Sequence, residues 1–210
     1  HLTRELQNQH IDILRSEQNE IEPLRNCEQH SSLGENISIH LEVPGIQIKH
    51  HQNPLTLKTL SLEMIDNTYN PTQWTHVYTD GSAQGAVRNG GGGIYIKHSD
   101  GRTTKKAIAT GKMSSNYRAE SMALLEALRM LRHDVNAPQG KLVFFTDCKS
   151  LLESLQTPKD SRATTEDIIT ELNNLPQSSQ VALQWIPSHC GIAGNEIADT
   201  LSKTGSNQNQ

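Results

Sequence analysis

The sequence predicts an α/β fold in which helices flank a mixed β-sheet, and three observations support this prediction. Three strand-like segments follow one another between residues 75 and 110, which is the pattern of an antiparallel meander. Helix-like and strand-like segments then alternate as far as residue 204, as in a sheet with helical crossovers. The run Leu142–Asp147 is largely apolar, as expected of a parallel strand buried on both faces. Together they predict a five-stranded sheet, made of a three-strand antiparallel meander and two parallel strands.

The meander comes first along the chain. Thr75–Asp80 alternates between polar and apolar residues, and the glycines Gly90–Gly93 precede a second strand at Ile94–Lys97. Ser99-Asp100-Gly101 is a turn signal, and Arg102–Thr110 follows it as the third strand.

The helices and the last two strands follow the meander. Ser114–Arg132 has helical periodicity, with Ser114 or Ser115 as its N-cap and Pro138 beyond its end. The remaining elements, in chain order, are a strand at Leu142–Asp147, helices at Lys149–Leu155 and Thr164–Leu175, a strand at Val181–Ile186 and a helix at Asn195–Lys203.

Composition excludes several classes of protein. The 210 residues carry 19 Lys and Arg against 23 Asp and Glu, and 34% are hydrophobic. No apolar stretch approaches the roughly 20 residues of a membrane span, and the first residues lack the pattern of a secretory signal. The three cysteines lie far apart, which argues against a disulfide framework or a zinc ribbon. We therefore expect a monomer, without membrane contact, that works inside the cell in the cytoplasm or the nucleus.

Charge and aromatic content divide the chain into unequal parts. Residues 1–74 contain 5 basic and 10 acidic side chains, and the first Phe, Trp or Tyr of the chain is Tyr69. A segment without aromatic rings has little with which to build its own core. We expect residues 1–70 to be a linker or the end of a preceding domain, partly disordered or helical, and 71–204 to be the main domain. A small helical appendage packed on that domain is the alternative, and residues 205–210 form a flexible tail.

Four carboxylates stand at the ends of predicted elements. Asp80 and Asp147 each end a strand, and Glu120 and Asp199 lie near the start of a helix. If the two strands are parallel neighbours, both aspartates emerge at the sheet edge where open α/β sheets bind ligands. Four clustered carboxylates repel one another unless cations neutralise them, and hard oxygen ligands favour Mg²⁺ or Mn²⁺. One acid at a strand end is more often a cap or a surface charge, so spacing alone leaves this site open.

Five motifs resemble those of the ribonuclease H family (type 1), in order and spacing, across about residues 75–204. They are Thr79-Asp80-Gly81-Ser82, Asn116-Tyr117-Arg118-Ala119-Glu120, Thr146-Asp147-Cys148-Lys149-Ser150, Trp185–Ile192 and Gly194–Asp199. The resemblance is strongest to the ribonuclease H domain of non-LTR retrotransposon reverse transcriptases. It implies the ribonuclease H-like fold and endonucleolytic hydrolysis of the RNA strand of RNA–DNA hybrids. The first residue is His1 rather than Met, which we take to indicate a fragment of a longer polyprotein whose reverse transcriptase region is a partner.

The resemblance also implies how the site residues work. Two Mg²⁺ ions, with Mn²⁺ as the alternative, would be held by Asp80, Glu120, Asp147 and Asp199. Asp80 would bridge the ions, Asp199 would hold the ion that generates the attacking hydroxide, and the other two would hold the ion near the leaving oxygen. His189 would shuttle a proton or help the product leave, without being a metal ligand.

Contacts to the hybrid are implied in the same way. The expected nucleic-acid-binding residues are Ser82, Gln84, Ser115, Asn116, Arg118 and Asn195. The window Arg88–Arg132 is rich in basic residues, as expected of a surface that binds phosphates. Two features depart from the family: Tyr117 replaces its usual second Asn, and the short interval Gln156–Arg162 has no room for the extra basic helix of some cellular members. We therefore expect the parent polymerase to supply part of the grip on the hybrid.

The sequence gives weaker support to other functions, such as nucleotide binding or catalysis by a cysteine nucleophile. The glycine-rich stretch Gly81–Gly93 has no nucleotide-binding fingerprint, and we expect its glycines to let the backbone turn and approach a minor groove. Cys148 and Cys190 lie beside Asp147 and His189, which could suggest a Cys-His nucleophile. We expect the two cysteines to be small buried residues instead. A standalone cellular ribonuclease H is a second interpretation. A catalytically weak module that binds nucleic acid or serves structurally within a polymerase is the third.

Overall fold

A computed structural model describes residues 32–46, 52–134, 140–157 and 163–210. Most of the predicted leading segment, residues 1–31 and 47–51, therefore lies outside the described residues. Part of the short interval after Gln156 lies outside them as well.

One mixed sheet forms the centre of the molecule. Its strands are β1 (Ile37–His40), β2 (Trp74–Gln84), β3 (Arg88–Lys97), β4 (Thr103–Gly111), β5 (Lys141–Thr146) and β6 (Gln180–Trp185), in the order β1-β6-β5-β2-β3-β4. The pairs β2–β3 and β3–β4 are antiparallel, whereas β2–β5, β5–β6 and β1–β6 are parallel. The predicted meander and parallel strands are thus confirmed.

The sixth strand, β1, was not predicted. It lies in the leading segment and pairs with β6 from Ile37, opposite Val181, to His40, opposite Gln184. Ile37 and Ile39 are partly buried, whereas Ser38 and His40 are exposed, so this edge strand has the alternation of a half-buried strand. Four residues without an aromatic ring give a weak sequence signal, and the strand exists because β6 offers it a free edge.

Five helices in the described part of the chain cover the two faces of the sheet. They are α1 (Pro54–Thr68), α2 (Asn116–His133), α3 (Lys149–Gln156), α4 (Ala163–Asn173) and α5 (Ala193–Ser206). Helices α2, α3 and α4 share one hydrophobic cluster with Val77, Ile94 and Phe144 of the sheet. Helices α1 and α5 share the cluster on the other face, with Tyr78 and Phe145. Among the described helices, none is both long enough and apolar enough to cross a lipid bilayer.

Boundary differences have local causes. Strand β3 begins at Arg88, six residues before the predicted start, because its glycines still pair with β4 while α5 packs on them. Helix α2 begins at Asn116, and Ser115 is its N-cap, with Oγ accepting a hydrogen bond from the Arg118 N–H at 3.2 Å. Helix α5 continues to Ser206, two residues past the predicted end of the main domain.

Candidate active site

Two carboxylates meet at one edge of the sheet because β2 and β5 are parallel neighbours. Tyr78 and Phe145 are register partners on these strands. Asp80 and Asp147 each follow their partner by two residues, so both leave the sheet at the same end. Asp80 and Asp147 therefore lie at one edge of the sheet, as the strand order predicts.

Glu120 reaches Asp80 because α2 packs directly on a glycine. A Cβ atom added to Gly81 would overlap the backbone nitrogen of Glu120. Only glycine permits this approach of helix to strand. The Gly81 N–H in turn hydrogen-bonds the Glu120 carboxylate. The second residue of the Asp-Gly-Ser motif thus positions the third carboxylate.

Asp199 reaches the site because α5 packs on the glycines of β3. Gly93 lies opposite Asp80 in the β2–β3 register, and a Cβ atom on it would overlap the carbonyl oxygen of Ala198. Gly91 and Gly93 are therefore required by the packing of α5, whereas Gly90 lies against Thr110 and Ser114, and Gly92 against Ile108 and Ala123. That the glycines of this stretch let the backbone approach a minor groove stays a prediction.

The carboxylates form a compact acidic group. One oxygen from each of Asp80, Glu120 and Asp147 lies within 4.8 Å of the others. Asp199 lines the same open cleft, whose volume is about 420 Å³, but its Oδ2 lies 2.6 Å from Nζ of Lys203. Three of the four predicted carboxylates thus converge, and the fourth is ion-paired at the side of the cleft.

Burial and mutual repulsion disfavour the ionised forms of this group. Burial raises the pKa of Asp80 to about 7, with Asp147 and Asp199 adding to the shift, although a hydrogen bond from Ser202 at 2.5 Å opposes it. Burial, together with the charges of Asp80 and Asp147, raises the pKa of Glu120 well above its usual range. A neutralising cation would remove this cost.

The donor set fits a hard divalent cation. All donors in the acidic group are carboxylate oxygens, which Mg²⁺ and Mn²⁺ prefer. Oε2 of Glu120 is buried and has no hydrogen-bond partner among the described residues. Buried polar atoms are rarely left without a partner. The unpartnered oxygen of Glu120 is therefore the observation that fits a bound divalent cation.

His189 stands at the mouth of the cleft. It is exposed, it lines the same cavity as the carboxylates, and its backbone is left-handed with φ 51°. Ser188 beside it also lines the cavity. An exposed imidazole at this position can exchange protons with solvent and with a bound phosphate.

The six predicted nucleic-acid contacts do not all meet in the cleft. Ser82 and Asn116 line it. Gln84 instead donates a hydrogen bond to Asn207 at 3.3 Å, and Ser115 caps α2. Three of the six have buried atoms without a partner among the described residues, namely Oγ of Ser82, Nε of Arg118 and Oδ1 of Asn195.

The basic window is partly committed to ion pairs. Of its nine basic residues, four contact carboxylates within 4.0 Å: Arg102, Lys106, Arg129 and Arg132. These cations are less available to phosphates than their number suggests. Exposed pairs of this kind contribute little to stability, so a polyanion can compete for them.

Two residues of the site were missed by the sequence analysis. Ser202 holds Asp80, and Lys203 holds Asp199, both from the last turns of α5. Their spacing is the available signal, because positions three and four residues after Asp199 share its helix face.

Neither of the two cysteines in the described part of the chain has the surroundings of a nucleophile. Cys190 is buried, and Cys148 is partly buried. Burial raises the pKa of the Cys148 thiol, which is the reverse of what an activated thiolate requires.

We expect Asp80 to make the metal-free protein less stable as the pH rises. Its folded-state pKa of about 7 lies above the ordinary value of 3.8, so its stabilising contribution is complete below pH 4 and is lost through pH 7. Replacement by Asn removes this pH dependence. The free energy of unfolding of the variant, relative to that of the wild type, should therefore rise by about 3 kcal/mol between pH 5 and pH 8. Thermal melts of both proteins in a chelator, at the two pH values, measure the gain. An equal pH dependence in both would contradict the assignment.

Comparison with known proteins shows that this chain is similar to one family of sequences. The family model described as RNase H matches residues 72–207. A ribonuclease H of Orientia tsutsugamushi (strain Boryong) is 30% identical over 141 residues, or 61% of this chain and 80% of that protein. Ribonuclease HI of Neisseria meningitidis serogroup B is 26% identical over 148 residues, or 65% and 97%. The crystal structure of RNase H1 from the halophilic archaeon Halobacterium salinarum NRC-1 is similar with a TM-score of 0.49 and 20% identity, covering 63% of this chain and 96% of that one.

Proposed function

The chain belongs to the ribonuclease H family, and we propose that it hydrolyses the RNA strand of RNA–DNA hybrids endonucleolytically. The observation that carries this proposal is the convergence of Asp80, Glu120 and Asp147 within 4.8 Å in an open cleft. The relatives that match it carry the names ribonuclease H and ribonuclease HI.

We propose that Asp80, Glu120, Asp147 and Asp199 hold two Mg²⁺ ions, with Mn²⁺ as the alternative. When bound, such ions activate a water molecule and neutralise charge on the phosphate and on the leaving oxygen. The protein holds the carboxylates in place beforehand: the Gly81 N–H orients Glu120, and the Ser202 hydroxyl orients Asp80. Such supporting hydrogen bonds fix the ligands of metal sites.

The remaining cleft residues act on the substrate. We propose that Ser82 and Asn116 contact the hybrid, since both line the cleft beside the carboxylates. The 2′-hydroxyl distinguishes RNA from DNA, and it can both donate and accept hydrogen bonds to such polar side chains. His189, exposed at the mouth, is proposed to pass protons between solvent and the reacting phosphate and to help the product leave.

The contacts proposed outside the cleft are Gln84, Ser115, Arg118 and Asn195. Ser115 caps α2, whose first N–H groups suit a phosphate. The orphaned atoms of Arg118 and Asn195 are consistent with a polar ligand that reaches them.

Cleavage of a labelled RNA–DNA hybrid tests the proposal. We expect cleavage of the RNA strand with Mg²⁺ or Mn²⁺ added separately, no cleavage in a chelator, and no cleavage of RNA–RNA or DNA–DNA duplexes. Hybrid binding without cleavage under all these conditions would favour a catalytically weak module that binds nucleic acid. Cleavage of duplex DNA would mean that the substrate is wrong.

We further propose that the chain acts as part of a retrotransposon reverse transcriptase polyprotein. The support is the resemblance of its five motifs to those of non-LTR elements. On this proposal the groups that touch substrate lie within residues 71–204, and residues 1–70 lead from a preceding domain, with β1 and α1 of that segment packed on the sheet. The predicted tail, residues 205–210, begins inside α5, which ends at Ser206. A hybrid made by reverse transcription occurs in the cytoplasm or the nucleus, where we propose that the protein acts. Sequencing the transcript upstream tests the context: an open reading frame without polymerase motifs would contradict it.

A further inference from the structure

The loop that carries His189 has a strained backbone. His189 is left-handed with φ 51°, and Gly191 has φ 85°. A left-handed conformation costs a residue with a side chain on the order of 1 kcal/mol or more, so it persists only where neighbouring contacts hold it. Glycine adopts the conformation freely, but His189 needs support from outside its own backbone.

The inner side of this loop is held by a cluster that includes α1. Cys190 and Ile192 are buried, and they share this cluster with Leu57, Met64 and Ile65 of α1. The loop is also tied locally, because the Gly191 N–H donates to Oε1 of Glu196 at 3.2 Å. The residues on either side of Gly191 thus belong to a core cluster to which a helix before residue 72, where the family match begins, also contributes.

The outer side of the loop is covered by one side chain of α1. Nζ, Cδ and Cε of Lys58 lie 3.4, 3.5 and 3.7 Å from the position that a Cβ atom on Gly191 would take. The lysine stem therefore lies across the backbone of Gly191, two residues from His189. Long charged side chains commonly pack an apolar stem on a surface and keep the ammonium in water. Lys58 is the one cation of α1, and it is partly buried.

We propose that α1 is a positioning element for His189 and that Lys58 is its contact residue, acting through its stem on the loop at Gly191. This inference rests on the proposed function, because it gives α1, which lies before the residues that match the family, a role in hybrid cleavage. Lys58 acts through the loop and is a positioning residue, whereas His189 faces the substrate.

A double-mutant cycle on the full chain tests the proposal. Lys58→Ala should lower kcat for hybrid cleavage roughly tenfold and leave KM within about twofold, because a small displacement of a reacting group reduces turnover. Lys58→Met retains the stem and should recover most of this loss. In a His189→Ala background, Lys58→Ala should cost less than about twofold further, because a residue that acts through another shows strong coupling. Glu63→Ala, an exposed change on the same helix, is the matched control.

A full tenfold loss from Lys58→Ala in the His189→Ala background would overturn the proposal, as would unchanged turnover in the single variant. A Lys58→Met protein as slow as Lys58→Ala would also overturn it, because charge and not the stem would then be responsible.

Hydrogen exchange separates this inference from the proposed function. In metal-free protein, amides of the peptide covering 187–192 should exchange faster in Lys58→Ala than in wild type, with a peptide from α3 unchanged. If wild type cleaves no hybrid, the proposed function fails, and this exchange experiment still decides the positioning role. Equal exchange in the two proteins would overturn it.

Discussion

Replacement of Asp147 by Asn is expected to reduce hybrid cleavage on the order of 10³-fold or more while the protein stays folded. The amide has the shape of the carboxylate, but it carries no charge and offers one oxygen in place of two. One of the three carboxylates that converge within 4.8 Å is thereby lost as a cation ligand. Since those carboxylates repel one another, the variant should melt at a higher temperature than wild type in a chelator.

Steady-state cleavage with Mg²⁺ and with Mn²⁺, together with thermal melts, measures both effects. Asp100→Asn is the matched control, because Asp100 is also an aspartate but is exposed in a turn and paired with Arg102. It should leave turnover within about twofold, as surface changes away from a site usually do. An Asp147→Asn protein that keeps a tenth of wild-type activity would show that Asp147 is not an essential ligand.

The position of this site could be predicted because strand order alone decides which strand ends meet. Asp80 and Asp147 each end a strand, and parallel pairing of β2 with β5 brings them to one edge. The helix that carries Glu120 could be predicted from periodicity and its Ser115 cap. How closely this helix approaches β2 depends on Gly81, which has no side chain, and a pattern of apolar residues does not indicate that distance.

The details that escaped prediction depend on contacts between distant parts of the chain. The pairing of Asp199 with Lys203 is visible as a spacing of four residues, yet its presence depends on how α5 lies over Gly93. The leading segment looked unable to fold by itself because it lacks aromatic rings before Tyr69. Its partners belong to the sheet, and Tyr69 packs edge-on against Trp74 and Phe145. The helical spacing of Leu57, Met64 and Ile65 indicates a buried face of α1, but it does not indicate which surface that face packs on.

A chain that starts at residue 71, the predicted boundary of the main domain, is expected to lose cooperative folding. It lacks β1 and α1, and of the described residues before 71 it loses five buried apolar side chains: Val43, Leu57, Met64, Ile65 and Tyr69. Burial of one such side chain stabilises a protein by about 1.5–3 kcal/mol, so the sum is about 8–15 kcal/mol as an upper estimate. This is the size of the entire free energy of unfolding of a typical domain, about 5–15 kcal/mol.

The truncation also leaves buried polar groups without partners. The hydroxyl of Tyr69 donates to Oε1 of Gln184 at 3.0 Å, and the Gln184 amide donates to the carbonyl oxygen of Glu42 at 2.9 Å. His76 contacts the carbonyl oxygen of Tyr69 through Nε2 at 2.6 Å. A buried group that loses its partner costs about 1–3 kcal/mol, which adds to the loss of apolar burial.

A chain of residues 32–210 is the matched control, because it keeps every element described before residue 71. Circular dichroism melts and binding of an apolar dye distinguish the two chains. We expect 32–210 to melt cooperatively, and 71–210 to bind the dye and show no sharp transition. If 71–210 instead melts cooperatively within about 5 °C of 32–210, the leading segment is a separable appendage, since so small a shift corresponds to only about 1–2 kcal/mol. The expected result would mean that the folding unit begins some forty residues before the family match at residue 72, because one face of its sheet depends on a helix that lies before the matched residues.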